Sequence, residues 1–587
     1  MVSTEKKIFI RWSIIDGLQV LPRLGPSKRE VAPVFYVYSP TSSYSLNICS
    51  TGRLNLIASP IPDLPNLGRL GHFSIRPDSE ESFRFIEKKI HECLESHGSC
   101  IQSNSARLPK RLLEIKANCH ETIRLIEPGD LQAKYIALSH CWGTHQPIKT
   151  TTSNLQQMYD LIRWESLSNV FQDAITVARR LNIQHIWIDS LCIIQDSKSD
   201  WETESSKMCD YYSNAYLTIS ASSSRDGTIP FLRPRDRKWL PVKKSFKTTY
   251  GTEAIVQARQ HRGSSMTQLL EDLGPLASRG WVWQENVLST RVLHYEESEL
   301  IWECRSDLCS EDGALPRGLY SMRLSQKLQQ GEKDPYRCWY NLIESYSVRN
   351  LTFESDRLPA ISGVASRIQE MVGPDLEYLA GLWRENMPVE LCWSVDYASV
   401  NSSNMEVLPE SFVSPSWSWA SVHGPLNFVD HDTSSPFEPL VTVIDVKCEI
   451  PGLNRYGEVA GGYLILRGPV VSMTVNCMDP YDCWTYTVGD DPDLREPMAP
   501  DCILVPFEIE GETSIKRARR EDVPAGFCVE VECMRIGNDI GEDGSFMYGL
   551  LLGHAESNRD SYMRLGLVVL DSEDWFKGAV EKIVKIV

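Results

Sequence analysis

The chain has 587 residues, 42% hydrophobic and 9% aromatic, enough to build several cores, and at ~100–200 residues per domain two to four domains are expected. Lys and Arg number 60 against 78 Asp and Glu, a net charge of −18. That balance argues against nucleic acid or an anionic membrane as a partner of the whole chain, because such partners select basic surface.

In chain order, the opening MVSTEKKIFIRWSIIDGLQVLP is expected not to be a signal peptide, since Arg11 and Asp16 interrupt its apolar stretch. No run of ~18 apolar residues follows anywhere, so no membrane span is expected. Residues 1–80 carry short apolar runs broken by Pro and Gly. The segment SFRFIEKKIHECLESHGSC then predicts a helix with Ile86, Ile90, Cys93, Leu94 and His97 on one face. Residues 1–130 read as a leader.

From Tyr135 strands and helices alternate: YIALSH, a helix over 169–181 capped by Ser168 or Asn169 and ended near Asn182, HIWIDSLCII, a helix over DWETESSKMCDYYSNA, then YLTISAS. This order predicts an α/β unit over 131–310 whose sheet is mostly parallel and flanked by helices. Ligands of such sheets bind beyond the carboxyl ends of the strands, which here are Ser139-His140-Cys141-Trp142-Gly143, Asp189-Ser190 and Ser220-Ala221-Ser222. Residues 225–275 read as an excursion whose basic Lys243, Lys244 and Lys247 are a solvated loop, as are Arg517 to Arg520 further on. A helix around Trp283–Leu288 and a hairpin of RVLHY with ELIWEC close the unit. Residues 311–425 are expected to be largely helical. Residues 426–587 form a β-rich domain, sandwich or barrel, from LVTVIDVKC, GYLILRG, FCVEVECM, YGLLLG and RLGLVVL.

Among residue constellations, Cys192 with His140 or His185 could form a nucleophile–base pair, but Cys192 sits inside an apolar run where cysteine behaves as a small hydrophobe. Cys93, His97 and Cys100 could ligate zinc with Cys119 or His120 as a fourth ligand. Their spacing fits no familiar zinc module, and a buried cysteine with a satisfied core histidine accounts for them too, so no metal is assigned. The 17 cysteines show no disulfide framework, which suits reduced thiols in the cytoplasm. Neither G-x-S-x-G nor GxxxxGK[ST] occurs.

Three segments, YIALSHCWG (135–143), HIWIDSLCIIQDSKSDW (185–201) and RGWVWQENVLSTRVLHY (279–295), resemble in order and spacing the fungal heterokaryon-incompatibility (HET) domain. CLESHGSC with LPKRLLEI upstream, and SDRLPAISGVA, YLAGLWREN and SPSWSWASVHG downstream, extend the resemblance to roughly 85–425. The chain departs from the pattern at His140-Cys141, where an aromatic and an aliphatic residue are common, and at Trp283, where Thr-Leu is commoner. The resemblance implies non-self recognition that ends in cell death or growth arrest, through self-association or a protein partner.

HET domains in turn resemble TIR domains distantly, which implies a TIR-like, flavodoxin-like sheet and cleavage of NAD as substrate, with no bound cofactor. On that likeness Glu285, in Trp281-Val282-Trp283-Gln284-Glu285, and Asp189 are the catalytic candidates. A carboxylate suits the oxocarbenium charge that forms on ribose as nicotinamide leaves. Trp142 or Trp281 would stack on a ring, Ser139 and Gly143 would line the pocket, and Arg279 would hold the diphosphate or pair with Asp189. Two plainer readings stay open. Glu285 is also explained as a helix-end carboxylate or as half of an ion pair with Arg279, and the whole chain as a non-enzymatic signalling scaffold.

Overall fold

The structure, a computed structural model, describes residues 74–101, 108–116, 123–143, 148–240, 274–311, 334–397, 407–429, 436–492, 494–519, 526–541, 544–556 and 558–587, with the backbone of Arg53–Ala58, Val242–Lys247 and Glu253–His261. The last two strands, inside the expected excursion, pair with one another and with Arg53–Ala58 in an antiparallel sheet.

The first helix, α1 (Glu80–Ser96), is capped by Ser79, whose hydroxyl accepts from the Ser82 amide. It buries Phe83, Ile86, Ile90 and Cys93. Leu94, expected on this face, is exposed in the last turn of the helix.

Eight strands follow in one sheet: β1 (Leu112–Ile115), β2 (Ile123–Ile126), β3 (Ile136–Ser139), β4 (His185–Trp187), β5 (Leu217–Ser220), β6 (Arg291–Tyr295), β7 (Leu300–Cys304) and β8 (Leu308–Ser310), in the order β8-β7-β6-β5-β3-β4-β1-β2. The central β4, β3, β5 and β6 are parallel. Every residue of these four is buried, as strands covered on both faces require. The two edges are antiparallel hairpins, β1–β2 and β7–β8. β6, anticipated only as a hairpin arm, also extends the parallel block through Thr218 opposite Val292. From β3 the chain steps to one side for β4 and then crosses to the other for β5, which puts a topological switch point beside β3.

Helix α2 (Asn169–Arg180) begins where Ser168 Oγ accepts from the Phe171 amide and stops before Asn182, whose φ of 55° leaves the helical region. Its Phe171, Ala174, Ile175 and Ala178 share a core with Ile136, Leu138 and Ile186. After β4 comes the single turn α3 (Asp189–Cys192). The one helix expected over 200–215 is two, α4 (Lys198–Ser205) and α5 (Met208–Asn214). They bury different chemistry. α4 turns in Asp200 and Glu204, which meet Arg111 and the Tyr211 hydroxyl, whereas α5 turns in Met208, Tyr211 and Tyr212.

Helix α6 (Gly280–Leu288) precedes β6. The expected helical stretch holds α7 (Pro335–Ser347), α8 (Ser362–Val372) and the turn α9 (Met387–Glu390), interspersed with two-stranded pairings. The C-terminal part is β-rich: β9 (Thr442–Glu449), β10 (Gly461–Cys477), β11 (Tyr486–Val488), β12 (Glu496–Pro500), β13 (Phe527–Gly541), β14 (Gly544–Ala555), β15 (Asn558–Leu570) and β16 (Val580–Ile586). Pairings run β10-β11-β12-β15-β14-β13 and back to β10, closing a ring. Of the sandwich and the barrel expected, the ring is the barrel. One core joins Trp339, Leu342 and Val364 of the helical stretch to Leu464, Leu550 and Leu567 of the ring. Among the described residues no helix is long and apolar enough to cross a membrane.

Candidate functional site

The carboxyl ends of β3 and β4 and the helix α6 bring together Ser139, His140, Trp142, Asp189 and Glu285. β3 ends in Ser139 and releases His140-Cys141-Trp142-Gly143 as an irregular segment, while Asp189 opens the turn after β4. Trp142 Nε1 donates to Asp189 Oδ2 at 2.9 Å, and the Ser190 amide donates to Asp189 Oδ1 at 2.6 Å. His140 Nδ1 stands 3.7 Å from the same Oδ1. The His140 ring also meets Phe171 edge-on at 5.0 Å between centroids. Burial holds the His140 imidazole below its ordinary pKa, with the charge of Asp189 opposing, so the ring is neutral at pH 7.

Glu285 is buried, and burial pushes its carboxyl up to about 7. The Asp189 charge raises it further, while the neighbouring Ser139 and Tyr212 hydroxyls and Arg279 favour the ionised form. Among the described residues, Glu285 Oε2, Ser139 Oγ, His140 Nε2 and Ser190 Oγ are buried without a hydrogen bond of full geometry, although the Ser139 hydroxyl lies close enough to Glu285 to favour its charge. Buried polar atoms are nearly always paired, so these atoms call for bonding partners such as water or a ligand. Asp189 and Trp142 are its partly exposed members.

Other expected residues lie differently. Arg279 is the N-cap residue of α6, and among the described residues it has no ion pair within 4 Å with Asp189 or Glu285; its charge nonetheless reaches Glu285, His140 and Cys141. Trp281 turns away, its Nε1 donating to Asp356 Oδ2 at 2.9 Å and its ring packing between the two large cores. Trp283 is core, bonded to Ser345 Oγ and packed on Tyr346. Gly143 has φ of +65°, and a Cβ there would sit 2.2 Å from Asp226 Cβ, so glycine lets the 226 loop close over the end of β3.

The Cys192 thiol is fully buried, takes the Ile188 amide at 3.5 Å, and is pushed up to about 12 by burial. It is a core residue and not a nucleophile. Ser190 stands at the strand end where it was expected, whereas Tyr212 was not anticipated in this site; it carries no motif, and only the packing of α5 against α6 brings it to Glu285. A shallow groove lined by Pro77, Ser223, Phe231, Arg233 and Glu296 also opens beyond the ends of β5 and β6, and none of the candidate residues lines it.

No curated protein and no solved structure matches the chain. The family model of the heterokaryon incompatibility protein (HET) matches residues 135–285, a span that starts at the residue before β3 and ends on Glu285. Those residues, which hold Ser139, Asp189 and Glu285 together, are a heterokaryon-incompatibility (HET) domain.

Proposed function

We propose that the chain acts in heterokaryon incompatibility by cleaving the nicotinamide–ribose bond of NAD at Glu285, with cell death or growth arrest as the result. The observation that carries this reading is a buried carboxyl raised to about 7, with Asp189 and the Ser139 and Tyr212 hydroxyls beside it and its own Oε2 without a hydrogen-bond partner among the described residues. The order β4-β3-β5-β6 supports it, being that of the flavodoxin-like sheet, in which ligands sit at the switch point. On this reading the domain is TIR-like in that sense.

In this reading the ribose hydroxyls donate to Glu285 and replace the missing partners, which lowers the carboxyl pKa and leaves it ionised. Nicotinamide departs with the bonding electron pair, and the carboxylate stabilises the oxocarbenium charge left on ribose until water adds and loses its proton. Asp189, held by Trp142, orients His140, while Arg279 and the Gly143 backbone meet the diphosphate. Self-association or a protein partner would open the closed site. The reading assigns the protein to the cytoplasm, and the free thiols throughout the described residues suit that compartment.

The deep burial of Glu285 favours a second reading, a non-enzymatic module that signals by docking. Incubating the concentrated, assembled protein with NAD and following nicotinamide release decides between them. Release by the wild type and its loss in Glu285→Ala are expected. No release, or release unchanged in Glu285→Ala, overturns the enzymatic reading, and a folded Glu285→Ala protein that still kills cells establishes the second.

A further inference from the structure

Outside this site, the end of α1, the turn Gly98–Cys100 and the end of β7 converge on one point. Cys93, His97, Cys100 and Cys304 present ligand atoms that all lie within 4.8 Å of one another, and the three cysteines are fully buried. We propose that these four residues bind a zinc ion that ties α1 to the β7 edge of the sheet. A tetrahedral zinc with Zn–S near 2.3 Å and Zn–N near 2.0 Å sets its ligand atoms about 3.5–3.8 Å apart, so small rotations of the side chains complete the site. Cys304 Sγ already stands 3.3 Å from His97 Nδ1.

The surroundings are those of thiolates. Arg291 Nε donates to Cys93 Sγ at 3.2 Å and its Nη2 to the Cys100 carbonyl at 2.7 Å; the Asp307 amide donates to Cys304 Sγ at 3.2 Å, and Ser99 Oγ lies 3.9 Å from Cys100 Sγ. Donors aimed at sulfur stabilise metal-bound thiolates and orient them. Three thiolates, a neutral imidazole and a divalent ion carry one net negative charge, and the buried Arg291 guanidinium beside them balances it. Four protein ligands leave no open position, which makes the site structural and not hydrolytic. Its fourth ligand is Cys304 in place of the Cys119 or His120 expected from sequence, two residues that lie outside the described ones. A Cys93–Cys100 disulfide is the competing use of the same thiols.

Full-length protein purified without chelator from zinc-supplied cells should carry one zinc per chain by elemental analysis. Exchange with cobalt should give the thiolate-to-cobalt charge-transfer band and the visible absorption of a tetrahedral site. Cys304→Ser should lose the metal. His97→Ala, at a partly exposed position, should keep the fold and shift the cobalt spectrum, and Cys119→Ser with His120→Ala should bind as the wild type does. Metal-free wild type that gives no cobalt band, a Cys93–Cys100 disulfide by mass spectrometry, or zinc retained without Cys304 and lost without Cys119 would each overturn the proposal.

Discussion

If Glu285 acts as proposed, it is where function and stability pull against each other. The unfolded carboxyl titrates near 4.5 and the folded one near 7, so between those values the folded chain holds a proton that the unfolded chain has released. The contribution of Glu285 to stability is therefore greatest below about pH 4.5, falls as pH rises towards 7, and stays low above it. Glu285→Gln should remove this loss and raise the unfolding free energy at pH 8 by up to about 3 kcal/mol, with little change at pH 4, while nicotinamide release disappears. A structural ion pair with Arg279 predicts the reverse: a lowered carboxyl, and a glutamine variant that is less stable at pH 8. Denaturant melts of both proteins at the two pH values separate a carboxylate kept for chemistry from one kept for packing.

At the scale of elements, the segment after β3 is the hinge of the site, and Gly143 sets its path. Alanine there must adopt a left-handed backbone at a cost of about 1–2 kcal/mol and must also push Asp226 Cβ from 2.2 Å. Gly143→Ala should lower the unfolding midpoint and weaken nicotinamide release by moving Trp142 off Asp189, read as changed tryptophan fluorescence. Glycine in a polar strand end is a signal that sequence carries, as are the mostly apolar runs of β3, β4 and β5 and the Ser168 cap. What depends on pairing is not local in the chain. β6 reads as a hairpin arm because its partner β7 is adjacent in sequence, whereas its parallel neighbour β5 lies about seventy residues earlier. Leu94 has the apolar spacing of the stripe but ends exposed in the last turn of α1, and the 200–215 stretch is two helices, with Asp200 buried on Arg111 and Glu204 on Tyr211. Ser139, Asp189 and Glu285 could be named from motifs. Tyr212, and Cys304 beside Cys93, come together only through tertiary packing.

At the scale of the whole molecule, a buried ion pair helps fasten the helical stretch to the β ring. Arg564 of β15 and Asp501 after β12 are both fully buried, with Arg564 Nε 2.9 Å from Asp501 Oδ2. The same guanidinium donates to the Leu391 carbonyl at 2.7 Å and to the Trp393 carbonyl, and it stacks over the Trp393 ring at 3.5 Å. Its own backbone amide donates to Ser416 Oγ at 3.1 Å. Composition changes near residue 425, but these bonds and the shared core cross that point, so we propose that 311–425 and 426–587 fold as one unit. Arg564→Met should leave Asp501 charged and unpaired in the interior and cost about 3–5 kcal/mol. Helical and β signals in circular dichroism should then fall at one common, lowered midpoint. Asp501→Leu added to Arg564→Met removes the stranded charge and should recover part of the loss, leaving the deficit of the Leu391 and Trp393 carbonyls, which lose their donors. Separate midpoints for the two signals, in the wild type or in Arg564→Met, would show instead that the ring folds without the helices, with Arg564 a local core residue of β15.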